Sequence, residues 1–170
     1  MQETPAQYKR RILSYQKGKQ PLSVLSATPR RIGRLLQGAA GRQLRWNPGP
    51  GKWSVGEILA HLADAELTFG YRMRLILGSN GTRVQAFDQD VWATNFRYDR
   101  QNPKDSFEAY RVQREHNVRL LRLLPKGMWS YYGMHEERGK ETVTRLTEMM
   151  AGHDLNHLKQ IEGILRRKRE

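Results

Sequence analysis

The chain has 170 residues and no cysteine, which suits one domain with a real core and excludes disulfides, thiolate metal sites, iron–sulfur clusters and a cysteine nucleophile. No apolar run approaches the roughly 20 residues of a membrane span, and Met1 to Pro5 lack an apolar signal core, so a soluble cytoplasmic protein is expected. The net charge is +13, but residues 1–45 hold ten basic and one acidic residue while residues 46–158 hold fifteen and fourteen, a distribution that argues against nucleic-acid binding.

The predicted elements follow in chain order. Pro5 to about Lys17 reads as a short helix whose few apolar positions, Ile12 and Leu13, predict surface packing. Thr28-Pro29 has the form of an N-cap followed by proline at the first helical position. Leu22, Val24 and Leu25 before it fit a helical turn, or a preceding helix that Pro29 interrupts. Gly38 and Gly41 end the segment, and Trp46 to Gly51 form a proline- and glycine-rich loop.

Ser54 and Glu57 have capping-box spacing, with Trp53 and Ile58 placed for a hydrophobic staple. Ile58, Leu62, Ala65, Phe69, Met73 and Ile76 then recur at helical spacing up to Gly78. A loop from Thr82 to Arg100 holds a helical turn around residues 88–96. Asn102-Pro103 opens a further helix with inner positions Phe107, Tyr110, Asn117, Leu121 and Leu124. Lys126 to Lys140 is a glycine-containing connection, and no convincing pair of alternating strands is present. Val143, Leu146, Met150, His153, His157, Ile161 and Ile164 step by three and four along a last helix. Its end, Arg166 to Arg169, reads as a basic tail or as a cationic last turn. The pattern predicts an all-α bundle of three or four long helices over residues 20–170, with an N-terminal helical extension over 1–19.

His153 and His157 are spaced i, i+4 on the apolar stripe, so their rings lie one above the other. They either complete a core or ligate a metal. The stripe offers methionine, leucine and isoleucine, which cannot satisfy ring nitrogens, and each unsatisfied buried group costs about 1–3 kcal/mol. A divalent ion would satisfy one nitrogen of each ring, and His61 on the Ser54 helix is the best third ligand. Three ligands leave an open position, as in catalytic rather than structural zinc sites. His116 and His135 are read as ordinary hydrogen-bonded histidines. His153-Asp154-Leu155-Asn156-His157 resembles the zincin pattern, but aspartate is one methylene short as the general base.

Gly51 to Glu66, with Lys52-Trp53-Ser54 and His61, resembles the first signature of the DinB/YfiT-like family, and Met150 to Leu158 resembles the second. The likeness spans roughly residues 20–165. It implies an up-down-down-up four-helix bundle, often a homodimer, with a divalent ion such as zinc or nickel on His61, His153 and His157. It also implies thiol-dependent transfer, with a low-molecular-weight thiol as second cofactor, or hydrolysis of a small-molecule substrate. A non-catalytic metal- or ligand-binding sensing module is the alternative. Glu57 or Asp64 could orient His61, Asp88 and Asp90 could line the pocket mouth, and Arg72 could bind an acidic cofactor's carboxylate. The corresponding bland readings are exposed helix charges, Asx-turn chemistry and a surface arginine.

Overall fold

The computed structural model describes residues 3–167. Helix α1 (Pro5–Gln16) is capped by Thr4, whose hydroxyl accepts from the Gln7 amide while Gln7 accepts from the Thr4 amide. Helix α2 (Pro21–Leu36) runs straight through the point where the sequence suggested a start. Thr28 is not a cap, since its hydroxyl donates back to the Val24 carbonyl. Pro29 lacks an N–H and leaves the Leu25 carbonyl without its helical donor. Arg114 donates to that oxygen at 3.3 Å, so the tertiary fold repairs what the proline breaks.

A short helix α3 (Gly41–Leu44) precedes α4 (Val55–Gly78), which begins at the expected capping box of Ser54 and Glu57. Helix α5 (Gln89–Asn95) follows its Asp88 cap, and α6 (Pro103–Leu123) follows Asn102. Helix α7 (Val143–Arg167) is the last, so Arg166 and Arg167 form a cationic final turn, while Lys168 and Arg169 lie outside the described residues.

The connection between α6 and α7 corrects the expectation of no strands. Strands β2 (Tyr132–His135) and β3 (Gly139–Thr142) pair antiparallel, and β1 (Arg83–Val84) adds to β2 in parallel. Each strand is four residues or fewer, too short for alternation to show in the sequence. Gly133 lets this sheet press on Ile76 of α4, where any Cβ would crowd Val84 and Ile76.

Helices α2, α4, α6 and α7 form the bundle. Gly56 lies against Pro103 and Gly70 against Asn117, so α4 and α6 run parallel. Gly33 lies against Phe107 and Ser26 meets Arg122, so α2 opposes α6. Ile58 clusters with Ile161 and Phe69 with Val143, so α4 opposes α7. The order is up, down, down, up, and residues 79–102 carry the chain back along the bundle between α4 and α6.

The core is split in two. One apolar cluster centres on Ile32, Leu59, Tyr110 and Ile161, and the other on Leu25, Phe69, Val118 and Leu146. Between them lies a buried polar layer with one residue from each bundle helix: Thr28, Glu66, Arg114 and Asp154. The Arg114 guanidinium donates to Glu66 at 2.7 and 2.9 Å and to both oxygens of Asp154. Breaking one partner of such a buried pair costs about 3–5 kcal/mol, so the layer fixes the register of the helices.

Candidate metal centre

His61 on α4 and His153 and His157 on α7 face one another across the α4–α7 contact, 2, 7 and 6% exposed. Their Nε2 atoms converge: His61 to His153 is 2.9 Å and His157 to His153 is 3.1 Å. The ring centroids lie 4.4 to 5.0 Å apart. A neutral imidazole has one donor and one acceptor nitrogen, so three converging Nε2 atoms cannot all be satisfied by one another. Among the described residues the Nδ1 atoms of His61 and His153 have no partner, so no acceptor there claims these rings for a purely structural role. A cation at the focus would satisfy all three lone pairs, and atoms about 3 Å apart suit bonds of about 2.0–2.1 Å to one ion. The donor set therefore fits a divalent metal.

Burial lowers the pKa of His61 and His153 well below the ordinary value, with the neighbouring rings adding to it, and lowers His157 to about 4. All three are thus neutral near pH 7, the form that ligates. His157 has a further device that the sequence reading missed. Its Nδ1 lies 2.8 Å from Gln160 Oε1, which can only accept, so Nδ1 carries the proton and Nε2 keeps its lone pair. The signal was Gln160 one helical turn after His157, but glutamine on a charged helix end is too common to single out.

The other candidates sort differently. Glu57 is taken up by the capping box, and Asp64 accepts the Tyr98 hydroxyl at 2.6 Å, so neither touches a histidine ring. Against His61 stands Trp53, with ring centroids 4.9 Å apart. Asp88 is the α5 cap, accepting from the Asp90 and Val91 amides, which is Asx-turn chemistry. Asp90 does line the cavity beside the histidines. Arg72 is not a surface arginine: it is buried, donates to the Gln85 carbonyl and lies over the Phe87 ring. Asp154 points away from the metal focus into the polar layer, where Arg114 and Tyr110 occupy its oxygens, so zincin-type base chemistry is absent. Asn156 accepts from Arg11 of α1. His116 is exposed rather than a core residue. His135 is buried in β2, with Nδ1 accepting from the Glu137 amide and Nε2 unpartnered.

A cavity of about 600 Å³ reaches His157 and is walled by Tyr8 and Arg11 of α1, the 48–53 loop, the start of α5 and the outer face of α7. That volume is typical of small-molecule sites. Helix α1 stays close because Gly152 admits it: a Cβ there would overlap the Ile12 carbonyl oxygen. The sequence placed α1 on the surface, yet Ile12 is fully buried, packed against Gly152, the residue before His153.

Among the described residues no helix is long and apolar enough to cross a membrane. Two proteins of Oceanobacillus iheyensis that bear the provisional name metal-dependent hydrolase are similar to this chain. One is 26% identical over 133 residues, 78% of this chain and 76% of the relative. The other is 25% identical over 143 residues, 82% and 81% respectively. The solved structure of YfiT from Bacillus subtilis, described as a probable metal-dependent hydrolase with an unusual four-helix bundle topology, matches with a TM-score of 0.81. It covers 97% of this chain and 89% of its own at 19% identity, a likeness of fold. The profile of the DinB superfamily matches residues 25–161, both histidine segments included, and the chain belongs to that superfamily.

Proposed function

We propose that this protein is a metal-dependent enzyme in which His61, His153 and His157 hold a divalent ion, zinc or nickel. The observation that carries the reading is the convergence of three buried Nε2 atoms on one point at the wall of a cavity. A divalent ion there would lower the pKa of a bound nucleophile and polarise an electrophile. The chain's own residues prepare that chemistry. Burial keeps the imidazoles neutral, and Gln160 fixes the tautomer of His157. Trp53 shields the His61 side of the centre from water. Asp90 is the only carboxylate along the cavity wall among the described residues, and it is the candidate to accept a proton from a substrate or nucleophile. No protein thiol exists, so the nucleophile is water, giving hydrolysis, or a small exogenous thiol, giving S-transfer.

The test is the metal content of protein purified without a histidine tag, followed by assay of electrophile hydrolysis with and without added low-molecular-weight thiol. We expect about one divalent ion per chain, lost in His61→Ala and His157→Ala together with turnover. Rate dependence on thiol separates transfer from hydrolysis. Wild-type protein that folds and binds no divalent ion would overturn the proposal. Metal binding without turnover of any electrophile would reduce it to a binding module.

A further inference from the structure

The cavity beside the histidines has a strongly uneven charge. Arg11, Lys52, Lys159 and Arg167 line it against the single carboxylate Asp90. Arg11 is offset by Glu3, which accepts from its guanidinium twice at 2.8 Å. Some cations elsewhere on the surface are paired. Arg31 of α2 pairs with Glu162, and Arg145 of α7 pairs with Glu148. Among the described residues Lys52, Lys159 and Arg167 pair with no carboxylate. Arg11 from α1, Lys52 from the loop before α4, and Lys159 and Arg167 from α7 thus meet around the opening that leads to His157.

We propose that this cavity binds a small molecule bearing an oxyanion, a carboxylate or a phosphate, with Lys52, Lys159 and Arg167 as its counter-charges. The inference rests on the proposed function only in treating the cavity's ligand as the substrate. Lys159, Gly163 and Arg167 follow at i, i+4, i+8 and so form one row along α7, about 12 Å long. The row starts within a turn of His157. Lys159 is two residues on from His157, about 200° round α7, so the row lies beside the histidine face and the shared cavity is what joins the two. Gly163 keeps the floor of the row clear, since a Cβ there meets nothing. Three unpaired cations around a concave wall attract an anion far more than scattered surface charge does.

The test is calorimetric titration of the full chain, as purified and after metal stripping, with succinate and with inorganic pyrophosphate, at about 50 mM salt to limit screening. Succinamide serves as the neutral match to succinate. We expect the triple variant Lys52→Gln, Lys159→Gln, Arg167→Gln to bind the better anion about tenfold more weakly, about 1.4 kcal/mol. A control that removes equal charge elsewhere, Arg30→Gln, Arg42→Gln, Lys126→Gln, should change binding less than about twofold. Gly163→Glu, which adds a carboxylate at an open helical position, should abolish binding without loss of fold. Equal effects of the two triple variants, binding of succinamide as tight as succinate, or no binding of either anion up to about 10 mM would each overturn the proposal. Whichever anion binds tighter identifies the headgroup chemistry. Anion binding that tracks the cavity cations in wild-type protein that takes up no divalent ion, even when one is added, would sink the metal reading and leave this one standing, and metal uptake without anion binding would do the opposite.

Discussion

At the scale of single residues, the centre depends on how each ring nitrogen is disposed. Among the described residues Gln160 is the one side chain that holds a histidine of the cluster by its second nitrogen. Gln160→Leu should therefore weaken divalent-metal affinity by about 10–100-fold, as loss of such support does elsewhere, while thermal stability of the metal-free protein changes little. Competition titration with a chromogenic chelator reads this directly, and an unchanged affinity would remove Gln160 from the site. His61 and the His153–His157 pair were legible because two imidazoles in an apolar stripe need a shared partner. Gln160, Trp53 and Arg11 were not, because their relation to the histidines is a matter of side-chain direction. Asp154 shows the same limit from the other side. It follows His153 directly, yet the 100° turn per residue sends it to Arg114 on α6.

At the scale of elements, the Ser54 and Asn102 starts were readable because capping is local chemistry. Pro29 misled because its missing donor is replaced from another helix. The strands escaped because pairing makes them, not pattern. Helix α1 carries no ligand but walls the cavity. Its approach to α7 passes through Gly152, so Gly152→Ala should push α1 off, at a cost of about 1–3 kcal/mol from overpacking. Hydrogen exchange should show α1 amides losing protection while α4 and α6 keep theirs. Retained protection of α1 would mean that the bundle shifts to absorb the methyl group.

At the scale of the whole molecule, metal and protons act on one equilibrium. Metal at about 100 times its Kd adds about 2.7 kcal/mol to the folded state. For a chain of this size that raises Tm by about 5–10 °C, reversibly with chelator. The folded-state pKa of all three ligands and of His135 lies below that of an unfolded histidine, near 4 for His157 and His135. Between about pH 4 and 6.5 the unfolded chain binds more protons, so stability rises with pH across that window and is lost as pH falls through it. The metal increment should shrink in the same direction, because protons compete for the ligating nitrogens. Denaturation curves from about pH 7.5 to 5 check both trends, and a flat profile would contradict the buried neutral state.

The sequence by itself determined the helical-bundle class, the caps at Ser54 and Asn102, and the three candidate histidines, because periodicity, capping and an apolar environment are properties of neighbours along the chain. Only the tertiary structure decided the rest. It placed four polar residues from four helices in one buried layer. It turned the proline defect of α2 into an acceptor for Arg114. It also brought the basic N-terminal helix and the basic end of α7, at opposite ends of the chain, around the cavity that opens on His157. The physical reason is that burial and charge proximity depend on which surfaces meet, and a +13 chain that looks merely basic in one dimension concentrates part of that charge at a site in three.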